Sequence, residues 1–162
     1  MRTSIVMATA ALALVFAATV SARDAGTAQA NESTVQEATA GFYAALNAMF
    51  IGDADPFKEV WSHAEDVTFM GPDGSVNVGW NEVLANWEVQ AKMKLGGEIR
   101  HELIMATVGE DLAVVQCREV GENVINGKPI AVSLRATNVF RKENGAWKMI
   151  GHQTDKLPFL EK

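Results

Sequence analysis

The last third of this chain constrains its fold most tightly. Four long β-prone segments, Glu98 to Val108, Leu112 to Glu122, Pro129 to Arg141 and Ala146 to Thr154, follow one another with only short turns between them. The connectors are Gly109-Glu110-Asp111, Asn126-Gly127 and Asn144-Gly145. Connections this short can join only antiparallel neighbours, and Asn-Gly suits the tight primed turn, so a four-strand antiparallel meander is predicted.

The segments before the meander are helical. Val35, Ala38, Phe42, Ala45, Leu46 and Met49 recur at helical spacing up to Gly52-Asp53, which describes an amphipathic first helix starting near Thr34. A short second helix follows, with Asp55 as N-cap, Pro56 at its first position and Phe57, Val60 and Trp61 as its apolar stripe. Val67 to Met70 and Val76 to Val78 flank the turn Gly71-Pro72-Asp73-Gly74 as a small hairpin. Asn81 opens a third helix with Val83, Leu84, Trp87 and Ala91 on one face, closed by Gly96-Gly97. Three helices can cover one face of a long twisted sheet only if the sheet curls around them. The predicted class is therefore α+β, three helices on a strongly curved antiparallel sheet with a hollow at its open end.

The N-terminus has a different character. Met1-Arg2, the apolar run Ile5 to Val20 and the small residues Ser21-Ala22 read as a secretory signal cleaved after Ala22, with Ala30 as the alternative site. Residues 23–33 read as a disordered leader, and 34–162 as the folded domain. A periplasmic or secreted protein is expected, with no membrane attachment after cleavage. Removing residues 1–22 takes away Arg2 as the only charge and moves the formal net charge from −6 to −7. That balance argues against a nucleic-acid partner. The single cysteine, Cys117, leaves no intramolecular disulfide. The 48% hydrophobic content must hold the fold through packing alone.

The order of elements and three local strings resemble the nuclear-transport-factor-2-like superfamily, and within it the SnoaL-like group. The strings are Tyr43-Ala44-Ala45-Leu46-Asn47-Ala48 leading to Gly52-Asp53, Asp66-Val67-Thr68-Phe69 with the following Gly-Pro-Asp-Gly turn, and Val139-Phe140-Arg141 with Gly145-Ala146-Trp147-Lys148-Met149-Ile150. The resemblance implies a cystatin-like cone over about Val35 to Asp155 and leaves activity open, because one scaffold hosts unrelated functions. Ketosteroid isomerases, which resemble this chain in fold, need a carboxylate base with a tyrosine and a neutral aspartic acid. Those positions match Gly71, Phe42 (beside Tyr43) and Ala136 or Thr137, so steroid-isomerase chemistry of that kind is not expected.

Strand alternation gives each strand two faces. Similarity to another member of that superfamily, the association domain of calcium/calmodulin-dependent kinase, implies that Leu112, Val114, Gln116 and Arg118 face the hollow, with Val132, Leu134, Ala136, Asn138 and Phe140, and with Lys148, Ile150, His152 and Thr154. Arg118, Asn138, His152 and Thr154 would then form a polar cluster within a lining of Tyr43, Trp61, Met70, Trp80 and Trp87. Arg118 would pair with an anionic oxygen and His152 would carry a proton. A solvated or interfacial Arg118 is the structural alternative. His63 and Asp66 form a second acid–base candidate, with a loop hydrogen-bond pair as the alternative. No metal-ligand spacing and no cofactor motif is present, so neither a metal nor a cofactor is expected.

Three functions follow from these residues: an exported binder of a partly apolar, anionic small molecule, a cofactor-free acid–base enzyme of isomerase, cyclase or lyase type, and an interaction protein. In the last, an outer sheet face with Arg135, Thr137, Met149 and Gln153 makes a homodimer.

Overall fold

The computed structural model describes residues 10–155. Helix α1 runs from Ala10 to Phe50 and is followed by a single turn, α2 (Phe57–Val60). Strands β1 (Thr68–Met70) and β2 (Val76–Val78) form the short hairpin, and α3 spans Trp80–Met93. The meander is β3 (Glu98–Val108), β4 (Leu112–Ile125), β5 (Lys128–Glu143) and β6 (Ala146–Asp155). Both Asn-Gly turns place both of their residues at positive φ, Asn126 at 54° with Gly127 at 75° and Asn144 at 51° with Gly145 at 85°. That is the backbone of the primed hairpin turn.

The six strands form one sheet in the order β2-β1-β6-β5-β4-β3. It is not purely antiparallel, as the sequence reading expected: β1 pairs with β6 in parallel, Phe69 opposite His152. The chain reaches β6 from β1 only after α3 and the rest of the meander, a non-local pairing that no turn signal announces. This pairing brings Phe69 beside the inner end of β6.

Three further differences concern the helices. The composition of residues 23–33 reads as irregular leader, but α1 continues through them. Their Ala, Thr, Gln and Glu residues are compatible with helix, and Asn31 ties the segment to the body. It donates to the Gly109 carbonyl at 3.4 Å and accepts from Lys142 at 2.8 Å. Of the expected signal segment, residues 1–9 lie outside the described residues. No described helix is long and apolar enough to cross a membrane. The second correction is at the end of α3, where Lys94 in the left-handed conformation stops the helix two residues before Gly96. At α2, Asp55 makes no side-chain cap but pairs with Lys58 at 2.6 Å.

The core lies between the helices and the inner sheet face. Trp87 of α3 is its centre, stacked on Phe57 at 4.2 Å and tilted against Phe69 at 4.5 Å. Phe42, Met49, Val83, Phe140 and Met149 close around it, all at most 1% exposed. Burial of a single large apolar side chain of this kind stabilises by about 1.5–3 kcal/mol.

Candidate functional site

A cavity of about 130 Å³ lies between α1, α3 and the inner face of the sheet. Its apolar wall comes from Leu46 and Phe50 of α1, Phe69 of β1, Trp87 of α3 and Ile99 of β3. Its polar wall is Glu119 of β4 with His152 and Thr154 of β6. Gln90, Leu95, Asn123, Val132 and Leu134, all half-buried, stand toward the outside with exposed Pro72.

Behind the polar wall a buried network holds these side chains. Tyr43 Oη donates to Glu119 Oε1 at 3.1 Å and touches Cys117 Sγ at 3.1 Å. Asn138 Nδ2 donates to Tyr43 Oη at 3.2 Å, and Asn138 Oδ1 is 2.6 Å from His152 Nδ1. With the amide nitrogen of Asn138 committed to Tyr43, its oxygen accepts, so the imidazole carries its proton on Nδ1. His152 Nε2 is thereby left as a bare acceptor, 3.8 Å from Glu119 Oε1.

The charges of this pair follow from burial. Desolvation raises the Glu119 carboxyl to about 7, opposed only in part by the hydrogen bond from Tyr43. Desolvation lowers His152 to about 3. The 3.8 Å contact falls within ion-pair range, yet both shifts favour the uncharged forms. We read the pair as neutral at the acid side of pH 7, because neither group has enough partners to offset removal from water. The Tyr43 hydroxyl is also driven far up, by burial first and then by the neighbouring Glu119. His101 stacks on the Tyr43 ring at 4.5 Å and is lowered by its own burial.

Two buried polar atoms on the cavity residues have no hydrogen-bond partner among the described residues, Thr154 Oγ1 and Trp87 Nε1. Such atoms cost free energy unless something serves them. Both belong to residues that line the void.

The structure brings together some of the residues singled out in the sequence and disperses others. Tyr43, Asn138, His152, Thr154 and Trp87 meet in or behind the cavity. Arg118 does not: it is exposed on the other face and donates to Ser133 Oγ at 3.2 Å. The expected facing of β4 was out by one residue, since Ala113, Val115, Cys117 and Glu119 are the buried set. In β6 the expected parity holds for His152 and Thr154 but not for Lys148 and Ile150. The pairing of β5 with β6 slips between Val139 and Phe140, leaving Ile150 without an opposite residue. This bulge lets Trp147 and Met149 point inward and His152 and Thr154 do so as well. Met149, expected on an outer face, is accordingly fully buried, whereas Arg135 and Gln153 are exposed there.

His63 and Asp66 do not form a pair. The imidazole is exposed, bonded through Nε2 to the Lys58 carbonyl at 2.8 Å and stacked on Trp80 at 4.5 Å. Asp66 takes a bidentate contact from Arg141 at 2.7 and 3.1 Å, which lowers its carboxyl. Trp61 and Trp80 are buried away from the cavity wall, and Met70 is half-buried outside it. The residue that sequence reasoning missed is Glu119. Its signal was present: it is the one charged side chain on the strand face otherwise made of Ala113, Val115 and Cys117.

With this geometry in place, the comparisons with known proteins are decisive for family and silent on chemistry. The model of the SnoaL-like domain matches residues 35–154. The chain belongs to the SnoaL-like domain family. Among solved structures, a candidate dehydratase of the nuclear-transport-factor-2-like family from Streptomyces avermitilis superposes with a TM-score of 0.66 at 23% identity, covering 81% of this chain and 99% of that one. A nuclear-transport-factor-2-like protein with a cystatin-like fold from Novosphingobium aromaticivorans gives 0.64 at 19% identity, covering 86% of this chain and 88% of that one. The Arabidopsis thaliana F-box protein SKIP8 is 24% identical over 98 residues, 60% of this SnoaL-like chain. The chain spans only 40% of that relative's length. These likenesses establish the fold, and the site must supply the function.

Proposed function

We propose that this SnoaL-like protein binds a small, uncharged, mostly apolar molecule in the cavity and exchanges a proton with it through Glu119, as a cofactor-free acid–base enzyme. The observation that carries this reading is a carboxyl held near pH 7 by burial on the wall of a void. A general acid or base works best when its pKa lies near the working pH, because both protonation states are then populated. Tyr43 fixes the carboxyl, and Asn138 fixes the imidazole in the tautomer whose bare Nε2 faces Glu119. The size follows from the volume, close to the roughly 150 Å³ apolar cavity that accepts benzene. Ligand charge follows from the wall: with Arg118 outside and Glu119 inside, nothing there favours an anion.

Saturation-transfer NMR against neutral alcohols, ketones and aromatic rings of five to eight non-hydrogen atoms tests this. A bound ketone should take up deuterium from D2O at its α-carbon with the wild type and not with Glu119→Gln. Arg118→Ala should change neither binding nor exchange. Failure of every such compound to bind sinks the proposal, while binding without exchange supports the second reading, a carrier. That reading is favoured by the wholly buried position of His152.

The location and assembly of the domain belong to the same proposal. Met1 to Ala22 directs export to the periplasm or exterior, and cleavage after either Ala22 or Ala30 keeps the Asn31 anchor. Intact mass of the protein from its native host should begin at Arg23 or Asn31, and retention of Met1 would refute export. Homodimerisation through the face carrying Arg135, Thr137 and Gln153 is read out by sedimentation, a monomer at high concentration being the contrary result.

A further inference from the structure

We infer that the cavity's ligand carries a carbonyl oxygen, or an acceptor oxygen of equivalent geometry, which Thr154 Oγ1 holds by donating a hydrogen bond, with Trp87 Nε1 as the second donor. The inference rests on the proposed function only in needing the cavity to be a small-molecule site, and it adds what that site selects. Three observations carry it.

Thr154 is 3% exposed, lines the cavity, and its hydroxyl has no partner among the described residues. The neighbouring donors on the inner end of β5 and β6 are engaged, Asn138 Nδ2 with Tyr43 and His152 Nδ1 with Asn138, and His152 Nε2 is left as an acceptor. The network closes on itself and leaves the Thr154 hydroxyl out. Trp87, on the opposite wall, presents the same condition, and an indole nitrogen can only donate. A ligand group that accepts without needing to donate satisfies both, which a carbonyl oxygen does with its two lone pairs. Around them the wall is Leu46, Phe50, Phe69 and Ile99, which accepts hydrocarbon and nothing more. The site therefore matches a compact ring or branched chain with one acceptor oxygen. A site built to hydrogen-bond a substrate atom discriminates strongly against the analogue lacking it, because its own buried groups are then left unpaired.

The test compares cyclopentanone with methylenecyclopentane, which have the same shape and number of non-hydrogen atoms and differ in the acceptor. Affinities are read by 1H–15N NMR titration of the full-length mature protein, wild type and Thr154→Val. The valine keeps the volume and β-branching of threonine in a strand, and circular dichroism with a urea midpoint confirms folding. The wild type should prefer the ketone by about tenfold, the range expected for a buried hydrogen bond that would otherwise be missing. In Thr154→Val the preference should fall to about threefold or less, with the hydrocarbon bound as in the wild type. Equal affinities in the wild type would show that water serves the hydroxyl and would overturn this inference alone. A full ketone preference surviving in Thr154→Val would do the same. If neither compound binds the wild type, the small-molecule site itself fails, and with it both readings.

Discussion

Glu119 makes the stability of this protein fall with rising pH over a window where most carboxylates have no further effect, and Glu119→Gln should abolish that limb. The carboxyl ionises near its ordinary value of 4.5 in the unfolded chain and at about 7 in the folded one. Between these values the folded state holds a proton that the unfolded state has lost, so unfolding releases it and stability declines as pH rises. That difference corresponds to about 3 kcal/mol, fully expressed above pH 8 and absent below pH 4. His152 acts in the opposite direction. Its folded value of about 3 means that acidification below 6.5 protonates only the unfolded chain and weakens the fold. Because His152 is common to both proteins, the difference between Glu119→Gln and wild type isolates the carboxyl. Urea denaturation followed by tryptophan fluorescence at pH 5, 7 and 8.5 should show the variant gaining about 2.5 kcal/mol relative to wild type between the ends of the range, the remainder being already expressed at pH 5. A difference that stays flat within about 0.5 kcal/mol would refute the claim that burial holds the carboxyl protonated.

Two further changes test the frame around it. Asn138→Leu removes the amide that joins Tyr43 to His152 and should cost about 2–4 kcal/mol, since it strands the imidazole Nδ1 proton and takes away the donor to the Tyr43 hydroxyl; a near-neutral urea midpoint would show the network to be dispensable. Gly121→Ala places a methyl 2.0 Å from the Glu98 carbonyl oxygen at a φ of 151°, so β3 must part from β4 there and the thermal midpoint should drop by several degrees, whereas unchanged melting would contradict the close approach of the strands.

The meander was legible because its signals are local. Asn126-Gly127 and Asn144-Gly145 dictate primed turns from two residues each, and all four long strands lie within three residues of their predicted ends. Facing was less legible, for a physical reason. In β4 each alternate set contains a charged residue, Arg118 in one and Glu119 in the other, so alternation alone cannot choose, and the resemblance chose wrongly. In β6 the bulge at Ile150 lies within the apolar run Met149-Ile150, where an extra residue leaves no mark in composition. Parity arguments assume a constant register, and one unpaired residue reverses every facing beyond it. The parallel contact of β1 with β6 joins residues more than eighty positions apart, beyond the reach of any turn signal.

What sets the cavity wall apart from an ordinary polar core is where its unmet bonding capacity falls. A buried network retained for fold specificity satisfies its members, because each unsatisfied atom lowers stability without adding uniqueness. Tyr43, Cys117 and Asn138, which stand behind the wall, are engaged with one another and with Glu119 and His152. Among the described residues the unmet groups are Thr154 Oγ1, Trp87 Nε1 and Trp61 Nε1, together with the bare His152 Nε2, and all but Trp61, which is buried away from the cavity, belong to residues that border the void. Bonding capacity concentrated on residues of the wall, with the network behind it satisfied, is the distribution expected when the missing partner enters from outside.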